Sequence, residues 1–141
     1  MTLQAYMQSL YAQLGLTGPP VLTKEGSYQL VLDEGIEVFL HTYPIFQDDP
    51  HEIGIALSAI ITACNEEGSG GLYQAALLGD LFGVATGRAV IGLSASGKNL
   101  TLCREIEYNP EYTDFKDILE EFINTVDIWR ETAKTYQPTK A

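Results

Sequence analysis

Basic residues are scarce in this chain: eight Lys and Arg stand against nineteen Asp and Glu in 141 residues, a formal net charge of −11. That balance excludes nucleic acid as an expected partner, because affinity for phosphates comes from Lys and Arg displacing counterions. An anionic membrane surface is disfavoured by the same repulsion. Cysteine is scarcer still, with only Cys64 and Cys103, so at most one disulfide could form. No basic start and apolar core of an export signal opens the sequence. A cytoplasmic protein is therefore expected, with both thiols buried as small apolar groups. Long hydrophobic runs are missing too. The best candidate, Ile53–Cys64, contains Ser58 and Thr62 and falls short of the roughly 18 apolar residues that cross a bilayer.

Residue sets that could run a reaction are also wanting. Gly92-Leu93-Ser94-Ala95-Ser96 has the look of a nucleophile elbow, but the closing glycine is absent. Its expected setting, a turn between two strands, is wrong for that motif as well. His41 and His51 lie near Asp48, Asp49 and Glu52, yet their spacing matches no standard metal set. Gly68-Ser69-Gly70-Gly71 precedes a helical pattern as phosphate loops do. No Lys follows it, and Glu66-Glu67 in front would repel an anion. The expectation is a protein that is not an enzyme, with no catalytic residue, no metal and no cofactor.

What the chain does have is apolar pattern. Hydrophobic residues make up 45% and charged residues 19%, enough to fold as a single domain over 1–141 with a frayed tail at 137–141. Leu3, Tyr6, Met7, Leu10, Tyr11 and Leu14 recur at spacings of three and four, predicting a helix over Thr2–Leu14 that Gly15 ends. Ser27–Leu32 and Ile36–Tyr43 flank Asp33-Glu34-Gly35 as a hairpin. In its second strand Ile36, Val38 and Leu40 point one way and Glu37, Phe39 and His41 the other. Pro44–Glu52 reads as a polar, acidic loop, and Ile53–Cys64 is apolar enough for either strand or helix. Residues 72–82 read as a short leucine-rich helix, followed by strands over Ala89–Leu93 and Asn99–Cys103. The last helix, Asp114–Lys134, carries the stripe Phe115, Ile118, Leu119, Phe122, Ile123, Val126 and Trp129, with Thr113 or Asp114 as its cap. The order α-β-β-β-α-β-β-α, hairpins with segregated helices, predicts an α+β fold in which helices pack on an antiparallel sheet.

Together these elements resemble the class I type III secretion chaperones, the Tir-chaperone (CesT-like) family of Gram-negative bacteria. The likeness is carried by the opening helix running into Leu14-Gly15-Leu16, the hairpin Tyr28–Tyr43 and the helix Leu72–Phe82. It continues through Gly87-Arg88-Ala89-Val90-Ile91-Gly92-Leu93, Leu100-Thr101-Leu102, and Phe122-Ile123-Asn124-Thr125-Val126 running into Trp129-Arg130. Gly79-Asp80 departs from the pattern, where many members carry an asparagine. The resemblance implies a cytoplasmic bacterial homodimer serving virulence-protein export. It would hold the N-terminal chaperone-binding region of secreted effectors extended, with the secretion ATPase as a further partner. Effector contacts are expected from Leu3, Tyr6, Met7 and Leu10 on the first helix and from Ile36, Val38, Phe39 and Leu40 on the hairpin. The dimer interface is expected from Leu77, Leu78, Leu81, Phe82, Val90, Ile91, Leu100 and Leu102. The rival expectation is a small acidic adaptor or regulatory domain of the same fold that binds a folded protein.

Overall fold

The computed structural model describes residues 3–16, 18–23, 26–32, 35–46, 49–63, 89–93, 98–106 and 110–135. They run α1 (Leu3–Leu14), β1 (Tyr28–Val31), β2 (Glu37–Phe46), β3 (Asp49–Ala63), β4 (Val90–Leu93), β5 (Asn99–Ile106) and α2 (Tyr112–Thr135). The strands form one antiparallel sheet in the order β1-β2-β3-β5-β4. The α+β class is as expected, while the helix expected over 72–82 lies outside the described residues. Contacts divide the chain into two units, Met1–Leu57 with Glu105–Glu120 and Ser58–Arg104 with Glu121–Ala141.

In the first unit the periodic face of α1 is inside: Leu3, Tyr6, Met7, Leu10 and Tyr11 are all buried. Tyr6 stacks on Phe115 at a centroid distance of 4.6 Å, and its hydroxyl donates to the Pro110 carbonyl. The Tyr112 hydroxyl donates to Gln13 Oε1 at 2.8 Å. The first helix is thereby tied at two levels to residues around the start of the last one. The hairpin pairs Tyr28 with Leu40, Gln29 with Phe39, Leu30 with Val38 and Val31 with Glu37. Leu32 N–H donates to the Ile36 carbonyl at 2.8 Å, and Gly35 takes φ 77° in the turn, a conformation that glycine reaches without a Cβ clash. Alternation from Ile36 into β2 follows the sequence pattern, with Ile36, Val38 and Leu40 buried, Glu37 exposed and Phe39 and His41 half-buried.

Two boundaries differ from expectation. The loop expected over Pro44–Glu52 is mostly strand, because β2 continues to Phe46 and β3 begins at Asp49. Pairing with a neighbouring strand satisfies the backbone whatever the side chains are, so tertiary context overrides poor strand formers such as Asp49 and Pro50. A close approach sits between these strands: a Cβ built on Gly54 would overlap the ring of Tyr43. Of the stretch Ile53–Cys64, open between strand and helix, residues 53–63 form the greater part of β3. The second boundary is the start of α2, at Tyr112, with Phe115 N–H already bonded to the Glu111 carbonyl at 3.0 Å. Thr113 and Asp114 therefore lie in the first turn and do not cap it, though Asp114 still faces the positive end of the helix dipole.

In the second unit β4 pairs with β5 as Val90 with Cys103, Ile91 with Leu102, Gly92 with Thr101 and Leu93 with Leu100. Ala59, Ile61, Ile91, Leu100, Leu102, Phe122, Val126, Trp129 and Ala133 are buried. Each large apolar side chain among them contributes about 1.5–3 kcal/mol by leaving water. Arg104 reaches Glu121 at 3.3 Å across this half. Cys103 corrects the expectation of a buried thiol: it is exposed, opposite Val90 on the face turned from the core. Strand alternation is the reason, since Leu100 and Leu102 take the inward positions. Cys64 lies outside the described residues.

Burial raises the Tyr6 hydroxyl above the ordinary tyrosine value, and the nearby Glu111 carboxylate pushes it the same way. The fold therefore holds the neutral phenol. Its contribution is complete below the unfolded value of about 10 and is lost as pH rises through the higher folded value. Thermal melting across that alkaline range should show a steeper loss of stability for the native chain than for Tyr6→Phe. The variant should be less stable at neutral pH, because the Pro110 carbonyl loses its donor.

Candidate functional site

Tyr11, the last buried residue of α1, faces the point where the helix stops. Gly15 N–H donates to the Ala12 carbonyl and Leu16 N–H to the Tyr11 carbonyl, at 3.3 and 2.9 Å, with Gly15 at φ 70°. This is the Schellman arrangement, which turns the chain sharply and sets Leu16 back against the helix end. Gly18 at φ 84° and Pro19-Pro20 then carry the chain along β1. Val21 N–H donates to the Tyr11 hydroxyl at 3.3 Å. Gln29 N–H donates to the Val21 carbonyl at 3.0 Å, and Leu22 forms an isolated antiparallel bridge with Tyr28.

The result is a groove of about 280 Å³ lined by Tyr11, Leu16, Pro19, Val21, Gln29, Leu30 and Val31. Its walls are mostly apolar, and much of that surface meets water: Val31 is 62% exposed and Val21 54%, with Leu14, Leu16 and Leu22 also exposed around it. Contiguous exposed apolar surface of this kind marks a place where another molecule docks. The strand beside it is the edge of the sheet, with backbone groups able to pair with an added strand.

The residues expected to touch an effector lie elsewhere. Leu3, Tyr6, Met7, Leu10, Ile36, Val38 and Leu40 are buried in this chain's own core, and only Phe39 keeps part of its side chain in reach of solvent. The periodic stripes are spent on internal packing. Of the expected dimer residues, Leu77, Leu78, Leu81 and Phe82 lie outside the described residues, and Ile91, Leu100 and Leu102 are core. Val90 is exposed on the edge strand β4, and Leu93, not singled out from the sequence, is exposed with it. The groove residues were likewise missed. Their signal is apolar character at positions outside either periodic face, such as Val21 and Leu22 in a connector and Val31 out of step with Leu30. Among the described residues no three His, Cys, Asp or Glu gather closely enough to hold a metal ion, and no helix is long and apolar enough to cross a membrane.

The model of the Tir chaperone protein (CesT) family matches residues 6–130. The chain belongs to that family. A Chlamydia pneumoniae protein is 28% identical to this Tir-chaperone family member over 128 residues, 90% of this chain and 92% of its own length. Solved structures share the fold. ExsC in its complex with ExsE matches at a TM-score of 0.70 and 18% identity, over 93% of this chain and 96% of the other. The chaperone–effector complex of SchA with HopA1 matches at 0.66 and 16%, over 90% and 91%. The Yersinia pestis type III secretion chaperone SycH, solved with a stable fragment of YscM2, matches at 0.59 and 16%, over 91% and 99%. The α+β architecture is thus that of the class I type III secretion chaperones.

Proposed function

We propose that this type III secretion chaperone works in the bacterial cytoplasm as a homodimer without enzymatic activity. It binds the N-terminal region of one or a few secreted effectors and keeps that region extended until export. Family membership over residues 6–130 carries the reading. The solved relatives' complexes with ExsE, HopA1 and a YscM2 fragment support it. On this chain the α1–β1 groove is the surface we assign to the client: an extended segment lies along β1 and sets apolar side chains against Leu16 and Val31. Main-chain pairing at a sheet edge supplies affinity, and the apolar groove supplies selection. The net charge of −11 keeps the chaperone soluble while such a surface stays open and favours clients with basic segments.

The test is affinity purification from the native host, comparing the wild-type chain with Val31→Asp. A charge at an exposed edge position should leave the melting temperature within a few degrees, since exposed substitutions usually stay within about 0.5 kcal/mol. It should strip a secreted protein from the eluate. Retention of the same secreted protein by the variant would rule the groove out as the contact. Light scattering on the wild-type sample should give twice the chain mass, and a monomer would remove the dimer from the proposal.

A further inference from the structure

The edge of β1 is already partly taken by the chain itself. Leu32 N–H bonds to the Ile36 carbonyl just before β2, so by alternation Gln29 and Val31 turn their backbone groups to the open side of the strand. On that side lie residues 18–23. Gln29 N–H donates to the Val21 carbonyl, Leu22 bridges Tyr28, and Thr23 N–H donates to the Ser27 carbonyl at 2.7 Å. This is the start of an additional antiparallel strand, and it goes no further. The rung at Gln29 is made in one direction only, because Val21 N–H is turned to the Tyr11 hydroxyl at a long 3.3 Å. The next rung outward, opposite Val31, falls at Pro19, which has no N–H to give. The side chains grip little: Val21 and Leu22 are both more than half exposed.

From this geometry we infer that residues 18–23 are a self-occupying strap. In the free chaperone they hold the place of a client strand on β1, and an incoming client strand displaces them. The inference rests on the groove being the client surface and adds how access to it is controlled. The strap masks the Gln29 N–H, which would otherwise offer an unpaired edge to any exposed strand. A client that competes successfully must make the reciprocal rung at Gln29 and the rung at Val31, neither of which the strap makes. Selection therefore favours a segment that has N–H groups at both positions and apolar residues facing the groove. Proline at the position opposite Val31 is the feature that keeps the strap a weak competitor.

The experiment locks the strap down. Leu22 and Tyr28 face each other between two hydrogen-bonded rungs, the close pair of an antiparallel ladder and a spacing that a disulfide can bridge. Leu22→Cys with Tyr28→Cys is made in a Cys64→Ser, Cys103→Ser background. Binding is measured, oxidised and reduced, with a blocked peptide of about eight residues that alternates valine and threonine between lysines. The oxidised form should bind at least about tenfold more weakly than the reduced form of the same variant. Because both forms have one sequence, a folding defect of the variant would weaken them alike. Equal affinity in the two redox states overturns the strap and leaves the groove standing. No binding to either state or to the unmodified chain overturns the groove and the strap together.

Discussion

Val38→Asp should cost the chain its fold, and any loss of client follows from that. Val38 has no exposed surface and faces Leu30 in the hairpin register. An aspartate there either carries its charge into an apolar core or takes up a proton to enter it. Both routes cost several kcal/mol, a large part of the about 5–15 kcal/mol that holds a domain together. Circular dichroism melts should show an unfolded or barely folded variant at room temperature. The comparison with Val31→Asp is the informative one, since the two positions lie on one hairpin and differ in burial. A folded Val38→Asp chain with a normal melt would mean that the hairpin core is not packed as described.

Phe115→Ala should be nearly as damaging. The ring is fully buried and stacks on Tyr6. Its removal leaves a cavity beneath both terminal helices, a change that typically costs about 3–5 kcal/mol. The Tyr6 hydroxyl bond to Pro110 is held in place by the same stack, so the loss extends past the missing atoms. Denaturant unfolding with an unchanged slope and a much lower midpoint is the expected result. Phe115→Leu, which refills most of the space, should recover a good part of it.

The helices were readable from the chain because their period is unmistakable. Phe115, Leu119, Phe122, Val126 and Trp129 fall on one stripe of α2 and are all buried, with Ile118 and Ile123 half-buried on its flanks. The end of α1 was readable from Gly15 for a definite backbone reason, its positive φ. The span from Pro44 to Glu52 was not, because proline and acids say nothing about which strand lies alongside. Most of the residues expected at the effector surface are buried, for a related cause. An apolar stripe announces a face that needs cover without saying whether the cover is the chain's own core or a partner. Tyr6, Met7, Leu10 and Val38 proved to be covered from within, while Leu16, Val21 and Val31 break the periodic pattern and so drew no notice.

The bond from Tyr6 to Pro110 joins residues 104 apart in the sequence, and that distance has a consequence for how the protein is made. A chain leaving the ribosome completes α1 and its hairpin long before the residues that cover Tyr6 and Met7 exist. At about 5–20 residues per second the interval is on the order of ten seconds. During it the apolar side of α1 has no permanent cover, and closing so long a loop is slow in any case. The newborn chain therefore passes through an aggregation-prone condition before its own last residues arrive to close the core.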